Sequence, residues 1–350
     1  MANTYADSPM IHEGLTILDA GSRGVGLFTS QSIAAGSLLI TEGPIIALLG
    51  EEKGDEIQIP SMIEQFRQLS EGDKAKYLDL RADDTKLTCR SCLAAIARQD
   101  DPGFAKTVVK IFRTNACEMG TPGGEDFRGH GVFPTYSRMN HSCTPNAFWH
   151  YDPEQNQVRI NAMRDLAQGE EVCISYTYYG EELLKSREDR KKVIEFQCEC
   201  HSCSAAEYQQ SDARRERLSM ISQGLQEAYS FEKSTEPAIV PEDEEHGVRL
   251  AQEYLKLLND EGLNTADGLE HGYEHLAYAH TIAGHLEEAA QATQLAEASY
   301  ITTGRSGARE RRAGFEKQRA GFEGGKEILE ENVKTAGYIE KVATENEQKA

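Results

Sequence analysis

Up to about Cys203 the chain is built of short apolar runs broken by glycine and proline. Val25–Thr29, Leu38–Thr41, Ile45–Leu49, Ala147–Tyr151, Val158–Ala162 and Glu171–Tyr176 have the length and residue types of strands. Between them, Ile63–Leu80 and Phe104–Asn115 mix polar and apolar positions at helical spacing. The pattern predicts an α+β fold, a β-rich part with a helical insertion. After Cys203 the period is helical throughout. Arg214–Phe231, Val248–Asn259, Ala266–Ile282 and Leu286–Thr302 read as helices, and Ser234–His246, with Pro237, Pro241 and its acids, as a solvated linker. Leu276, Ala277, Tyr278, Ala283, Leu286, Ala289, Ala290 and Ala296 flank Gly284-His285 in the manner of a tetratricopeptide hairpin. A generic antiparallel helix pair accounts for them equally well. Ala313-Gly-Phe-Glu316 recurs seven residues later as Ala320-Gly-Phe-Glu323, placing Phe315 and Phe322 on one helical face that packs on the preceding helices. The polar stretch beyond, 327–350, is expected to fray.

Charge changes the picture of partners. With 37 basic and 58 acidic side chains the net charge is −21, the wrong sign for an electrostatic grip on nucleic acid and suited to a cationic partner. The alternative is that the acids serve solubility. No run approaches the ~18 apolar residues of a membrane span, and the polar start shows no secretory signal. The eight cysteines, all between Cys89 and Cys203, are therefore expected to serve metal or chemistry rather than a disulfide framework.

Cys198-Glu-Cys200-His-Ser-Cys203 gives three thiols in six residues, a spacing that suits tetrahedral zinc with a fourth ligand from elsewhere. His201, Cys143, Cys173, Cys117 and the Cys89/Cys92 pair are the candidates. Cys89-Arg-Ser-Cys92 is a lone pair, read as two unpaired helix or loop cysteines rather than half of a second site. Asn140-His141, just before Pro145, is no strand interior and offers donors and acceptors to an adenine edge or an amino acid, or a buried turn. Arg23-Gly24-Val25-Gly26 is a glycine turn that fails as a dinucleotide fingerprint and leaves a tight turn or close backbone approach to a ligand. Gly169-Glu-Glu runs into Tyr176, Tyr178 and Tyr179, which crowd as packing or as a functional tyrosine.

In order and content these segments resemble the SET-domain protein lysine methyltransferases. Arg23–Phe28 with Ile33–Gly36, Asn140–Cys143 with Pro145-Asn146, Gly169–Tyr176 and Cys198–Cys203 carry the likeness, over about residues 12–204. The nearest subgroup resembled is the SET-and-MYND proteins and their fungal relatives without the MYND finger. With four of the eight cysteines assigned to the post-SET site, a MYND finger of seven or so cannot be built. The resemblance implies a pseudoknotted SET domain at 12–180 with a helical insertion at about 51–130. It implies a zinc-binding post-SET segment at 181–204 and an all-α, tetratricopeptide-like region at 205–350. It implies one structural zinc on Cys143, Cys198, Cys200 and Cys203, and S-adenosyl-L-methionine against Arg23, Gly24 and Gly26. Asn140 and His141 then hold the cofactor's amino-acid and adenine parts and Phe196 covers it, with Asn115 and Ser137 as weaker contributors. Tyr176 is the implied catalytic residue, and Tyr178 or Tyr179 lines the lysine channel. Ile194 stands where the family has an aromatic, which alters part of that wall. The implied activity is direct in-line methyl transfer to a lysine of a protein, a histone tail or another. No membrane and no direct nucleic-acid partner are expected. Residence is expected in the nucleus or cytoplasm, the short basic cluster 187–192 being the surface of an exposed helix. A protein partner on the helical region is also expected. The rival readings are a SET-like scaffold without catalysis and a metal sensor on Cys89, Cys92, Cys117 and Cys173.

Overall fold

The computed structural model describes residues 9–50, 55–120, 127–177, 181–194, 196–204, 206, 208–230 and 237–303. The chain divides into two compact units, 1–140 with 147–173, and 141–146 with 174–350.

The first unit carries the small sheets. Its strands are β1 (Met10–Ile11), β2 (Leu15–Asp19), β3 (Val25–Thr29), β4 (Leu38–Glu42) and β5 (Ile46–Leu49), then, after four helices, β6 (Cys117–Met119) and β7 (Gly129–Val132). β8 (Asn140–His141), β9 (Ala147–Asp152), β10 (Gln157–Ala162) and β11 (Glu171–Ile174) complete the set. Three sheets result, ordered β1-β4-β10-β9, β2-β3-β11-β8 and β5-β7-β6. In the first, Ile160 pairs with Ile40 and with Trp149, and Val158 and Ile160 are fully buried while Arg159 between them is not. That is the inward–outward alternation of a pleated strand. β2 escapes prediction because its apolar residues stay wet, with Ile17 and Leu18 about half exposed.

The insertion is four helices, α1 (Asp55–Gln68), α2 (Glu71–Leu78), α3 (Arg90–Ala97) and α4 (Pro102–Asn115). The predicted helix 63–80 is in fact two. Ser70 breaks it, accepting the Asp73 N–H as the N-cap of α2. Asp101 and Pro102 start α4 in the same way. Ile59, Met62, Ile63, Phe66, Tyr77, Val108 and Phe112 form their common core, and the Tyr77 hydroxyl donates to the Val108 carbonyl at 2.8 Å.

The second unit is helical: α5 (Glu181–Leu184), α6 (Arg187–Ile194), α7 (Tyr208–Ser230), α8 (Glu244–Glu261), α9 (Ala266–Ile282) and α10 (Leu286–Thr303). Leu218, Ile221 and Leu225 of α7 pack against Val248, Ala251, Tyr254 and Leu258 of α8. The expected linker ends earlier than its composition suggests. Asp243 caps α8 by accepting the His246 N–H, and Glu244 and Glu245 occupy the first turn, where the helix dipole favours acids. α9 and α10 form one antiparallel hairpin turned at Gly284. No described helix is long and apolar enough to cross a membrane. The Phe315/Phe322 repeat and the polar tail lie outside the described residues.

Candidate active site and metal centre

In the first unit, the turn Gly21–Arg23 and the start of β3 carry the glycine motif. Gly24 has φ +82°, a left-handed conformation that only glycine adopts without strain. Gly26 is required for a different reason. A Cβ there would lie 2.5 Å from Glu171 Oε1 and 3.1 Å from Asn140 Nδ2. Glu171 is the hub of this corner. Its carboxylate pairs with the Arg23 guanidinium and accepts from Asn140 Nδ2 at 2.8 Å. Asn140 Nδ2 also donates to the Val25 carbonyl at 3.1 Å. Three segments far apart in sequence are thus locked around a buried glycine whose missing side chain makes room for the Glu171 carboxylate. Burial lowers the Arg23 pKa, but Glu171 and Cys173 more than offset it, so the guanidinium's pKa is raised.

Asn115 and Ser137 come together but serve the backbone. Asn115 Nδ2 donates at 2.7 Å to the carbonyls of Arg81 and Ile111, and Ser137 Oγ donates to those of Phe133 (2.8 Å) and Asn115 (3.4 Å). Behind them Glu42, buried at the end of β4, accepts the N–H groups of Thr135 and Tyr136 and the Thr135 hydroxyl. Desolvation raises its pKa against those hydrogen bonds.

In the second unit, His141 Nδ1 accepts the Tyr176 N–H at 3.0 Å, which puts the imidazole proton on Nε2, 3.4 Å from Cys143 Sγ. Burial pulls the His141 pKa down to about 4, keeping it neutral. Its ring lies 5.4 Å from that of Tyr176 and 5.8 Å from that of Phe196, and these two are 6.2 Å apart. Tyr176 is 52% and Phe196 41% exposed, so two sides of this aromatic corner face solvent. The predicted strand 171–176 is shorter than expected: β11 stops at Ile174 and Tyr176 sits in a bend, while Tyr178 and Tyr179 lie outside the described residues. Asn140 and His141, expected to be no strand interior, form the two-residue edge strand β8 before Pro145.

Cys143, Cys198, Cys200 and Cys203 bring their sulfurs within 4.8 Å of one another, and they are the one such group of metal-ligating side chains among the described residues. The Cys143–Cys198 and Cys143–Cys203 separations are 3.9 and 3.6 Å. A zinc tetrahedron with 2.3 Å bonds has edges of ~3.8 Å. The donor set therefore fits one zinc ion. Four thiolates on Zn²⁺ leave a net charge of −2, and two buried arginines answer it. Arg190, 2% exposed, donates to Cys203 Sγ at 3.7 Å. Arg215, fully buried, donates to the Cys143 carbonyl at 2.9 Å and pairs with Glu261 at 2.8 Å. Neither arginine is signalled by a motif. His201 is exposed and outside the cluster, and Cys89, Cys92, Cys117 and Cys173 form no metal-ligating group among the described residues. The metal-sensor reading loses its geometry.

Residues 24–177 match the SET domain family. This stretch is a SET domain. Its motif-bearing segments are β3, the Asn140-His141 strand and β11 with Tyr176. The histone-lysine N-methyltransferase set5 of Schizosaccharomyces pombe is 38% identical over 95 residues, 25% of this chain and 28% of that protein. The protein-lysine N-trimethyltransferase SMYD5 of Mus musculus is 40% identical over 82 residues, 22% and 19%. A SET and MYND domain-containing protein of Dictyostelium discoideum is 33% identical over 75 residues, 21% and 22%. The matches thus span less than a third of these curated relatives. A solved SET domain, that of LSMT bound to lysine and AdoHcy, aligns with 97% of the chain at 11% identity and a TM-score of 0.35, too distant to bear on the site.

Proposed function

We propose that the chain is an S-adenosylmethionine-dependent protein-lysine methyltransferase. The SET domain and relatives named as lysine methyltransferases support this reading. The observation that carries it is Glu171 holding Arg23 and Asn140 around Gly26, which gathers three of the motif segments into one polar corner.

Arg23, Gly24, Gly26, Asn140, His141 and Phe196 hold the cofactor, which supplies an electrophilic methyl on a sulfonium. Asn115 and Ser137 are the weaker contributors to that site, their side chains being engaged by main-chain carbonyls. The rest falls to the chain's own groups. Free lysine has a pKa near 10.4, and the attacking amine must be neutral. An aromatic wall that excludes water favours loss of the proton. Tyr176, its N–H fixed on His141, presents a hydroxyl that orients the amine and stabilises charge in flight. No covalent intermediate is needed, so alignment supplies much of the rate. Tyr178 or Tyr179 completes the channel, whereas Ile194, standing where the family has an aromatic, packs among the cysteines. The four thiolates hold one zinc, whose contribution is to cross-link Cys143 to the Cys198–Cys203 segment. The substrate is a lysine-bearing, cationic protein segment drawn to the acid-rich chain. A histone tail meets that description and is the first to test. The helical region from 205 onward offers a tetratricopeptide-like partner surface, and residence in nucleus or cytoplasm accords with such a substrate.

Calorimetry of S-adenosylmethionine with zinc-assayed wild type beside Asn140→Ala is the test, followed by methyl transfer with Tyr176→Phe. Micromolar binding lost in Asn140→Ala, and transfer reduced about 100-fold or more in Tyr176→Phe, are expected. Full activity in Tyr176→Phe overturns the assigned role. Binding without transfer to any lysine protein by wild type favours the scaffold reading.

A further inference from the structure

Cys89 and Cys92 lie outside the zinc cluster, and the function above makes no use of them. Their placement is specific. Cys89 is the N-cap of α3, and Cys92 is the third residue of that eight-residue helix. The pair thus has the Cys-x-x-Cys spacing across a helix N-terminus, where the dipole stabilises a thiolate. The two thiols differ in access: Cys89 is half-buried, whereas Cys92 is 0% exposed, packed in the insertion core. Each has a partner that favours negative charge on sulfur. Ser91 Oγ lies 2.9 Å from Cys89 Sγ, and Arg113 Nη2, from α4, donates to Cys92 Sγ at 3.3 Å. Ser91 first, then the main-chain N–H and thiol of Cys92, bring the Cys89 pKa down to about 7. Cys117, half-buried but with its thiol pushed upward by desolvation, shows the opposite environment in the same unit.

We propose that Cys89 and Cys92 are a redox-active dithiol that reacts with low-molecular-weight disulfides, Cys89 attacking and Cys92 resolving. In the first step the Cys89 thiolate forms a bond to one sulfur of the disulfide RSSR, and the other leaves as RS⁻. In the second, Cys92 gives up its proton and its sulfur bonds to Cys89 Sγ, expelling the second RS⁻. Two protons from the protein thiols convert both to RSH. The protein dithiol is oxidised by two electrons and RSSR is reduced to two RSH. Arg113 holds the charge that appears on Cys92 between the steps. The i, i+3 placement across the first helical turn supplies the short Cα separation a disulfide requires.

The test uses the full chain in glutathione buffers of stepped oxidised-to-reduced ratio, with acid quenching, alkylation and peptide mapping. Zinc is assayed before and after. A Cys89–Cys92 disulfide whose fraction follows a two-electron curve, with zinc content unchanged, is expected. Cys92→Ser should instead retain glutathione on Cys89, and Cys89→Ser should leave Cys92 reduced. At pH 7 Cys89 should alkylate roughly fivefold faster than an ordinary exposed thiol. Half of it is thiolate, and its lower basicity cancels only part of that gain. Three results overturn the proposal: both cysteines reduced at ratios that oxidise free dithiols, a stable glutathione adduct on wild-type Cys89, or a zinc ion released by Cys89→Ser. The last would make the pair a metal site. If Cys89→Ser does not fold by circular dichroism, the wild type and Cys92→Ser decide alone.

Discussion

Glu171 bonds two side chains at once and shapes the space for a third residue that has none. Arg23, Asn140 and Gly26 each carry a motif legible in the sequence, because each stands in a short local pattern. Glu171 was visible only as part of Gly169-Glu-Glu. Its role depends on a partner 148 residues away, which spacing alone cannot reveal. The same holds for Arg190 and Arg215, whose value lies in what the fold brings beside them. Asn115 was read as a weaker cofactor contact, and its amide is engaged by main-chain carbonyls. The crowding at Gly26 makes a sharp prediction. Gly26→Ala should lose about 1–3 kcal/mol of stability, because its methyl cannot share space with the Glu171 carboxylate. It should also lose S-adenosylmethionine binding. Val25→Ala, one residue away and 41% exposed, should change the melting temperature little. Differential scanning fluorimetry with and without the ligand reads both variants.

Helices were more legible than strands. The bounds Ala266–Ile282 were readable from composition and period alone, and the structure has the same helix. α3 was missed because eight residues give too little period to see, and β2 because its exposed apolar side chains mimic a loop. Inside the helical unit α9 carries a pH-sensitive feature. His275, 7% exposed, faces Ser222 Oγ of α7 at 3.3 Å and the edge of Tyr254 of α8 at 5.5 Å. Desolvation depresses its pKa to about 4, with His271 adding to the effect. A base whose folded pKa is depressed contributes stability that is present above its unfolded value near 6.5. That stability is lost as pH falls from 6.5 toward 4, at up to about 1.4 kcal/mol per pH unit. Urea titrations of the full chain between pH 7 and 4.5 should show this slope. His275→Gln should flatten it while lowering stability at pH 7. An unchanged slope in the variant would assign the acid sensitivity elsewhere.

For the molecule as a whole, the cysteine cluster joins Cys143 to the segment Cys198–Cys203. Cys143 and Cys198 are separated by 54 residues (198 − 143 − 1), and only a shared ion holds four mutually crowding thiols as thiolates. Metal analysis should give one zinc per chain. Stripping it with a strong chelator should lower the melting temperature and speed hydrogen exchange in 187–203. Arg190→Met should weaken zinc by about 10–100-fold in chelator competition, since it removes a buried counter-charge and a donor to Cys203 while keeping much of the volume. Retention of zinc at wild-type affinity would show that the guanidinium serves packing alone. The cysteine cluster was legible as three ligands from one segment. The fourth was supplied by resemblance, and the sulfur geometry agrees with it.

The bond from Arg23 to Glu171 also sets a clock. As the chain leaves a ribosome, Arg23 waits for a partner 148 residues behind it, about 7–30 s at 5–20 residues per second. β3 waits equally long for its neighbour β11, and Cys143 waits for Cys203. Through that interval β2 and β3 can pair only with each other, with Ile17, Leu18 and Val25 in water. Newly made protein is therefore most exposed to misassembly before residue 203 emerges. A chain cut short inside β11 has no means of building the corner that its first thirty residues encode.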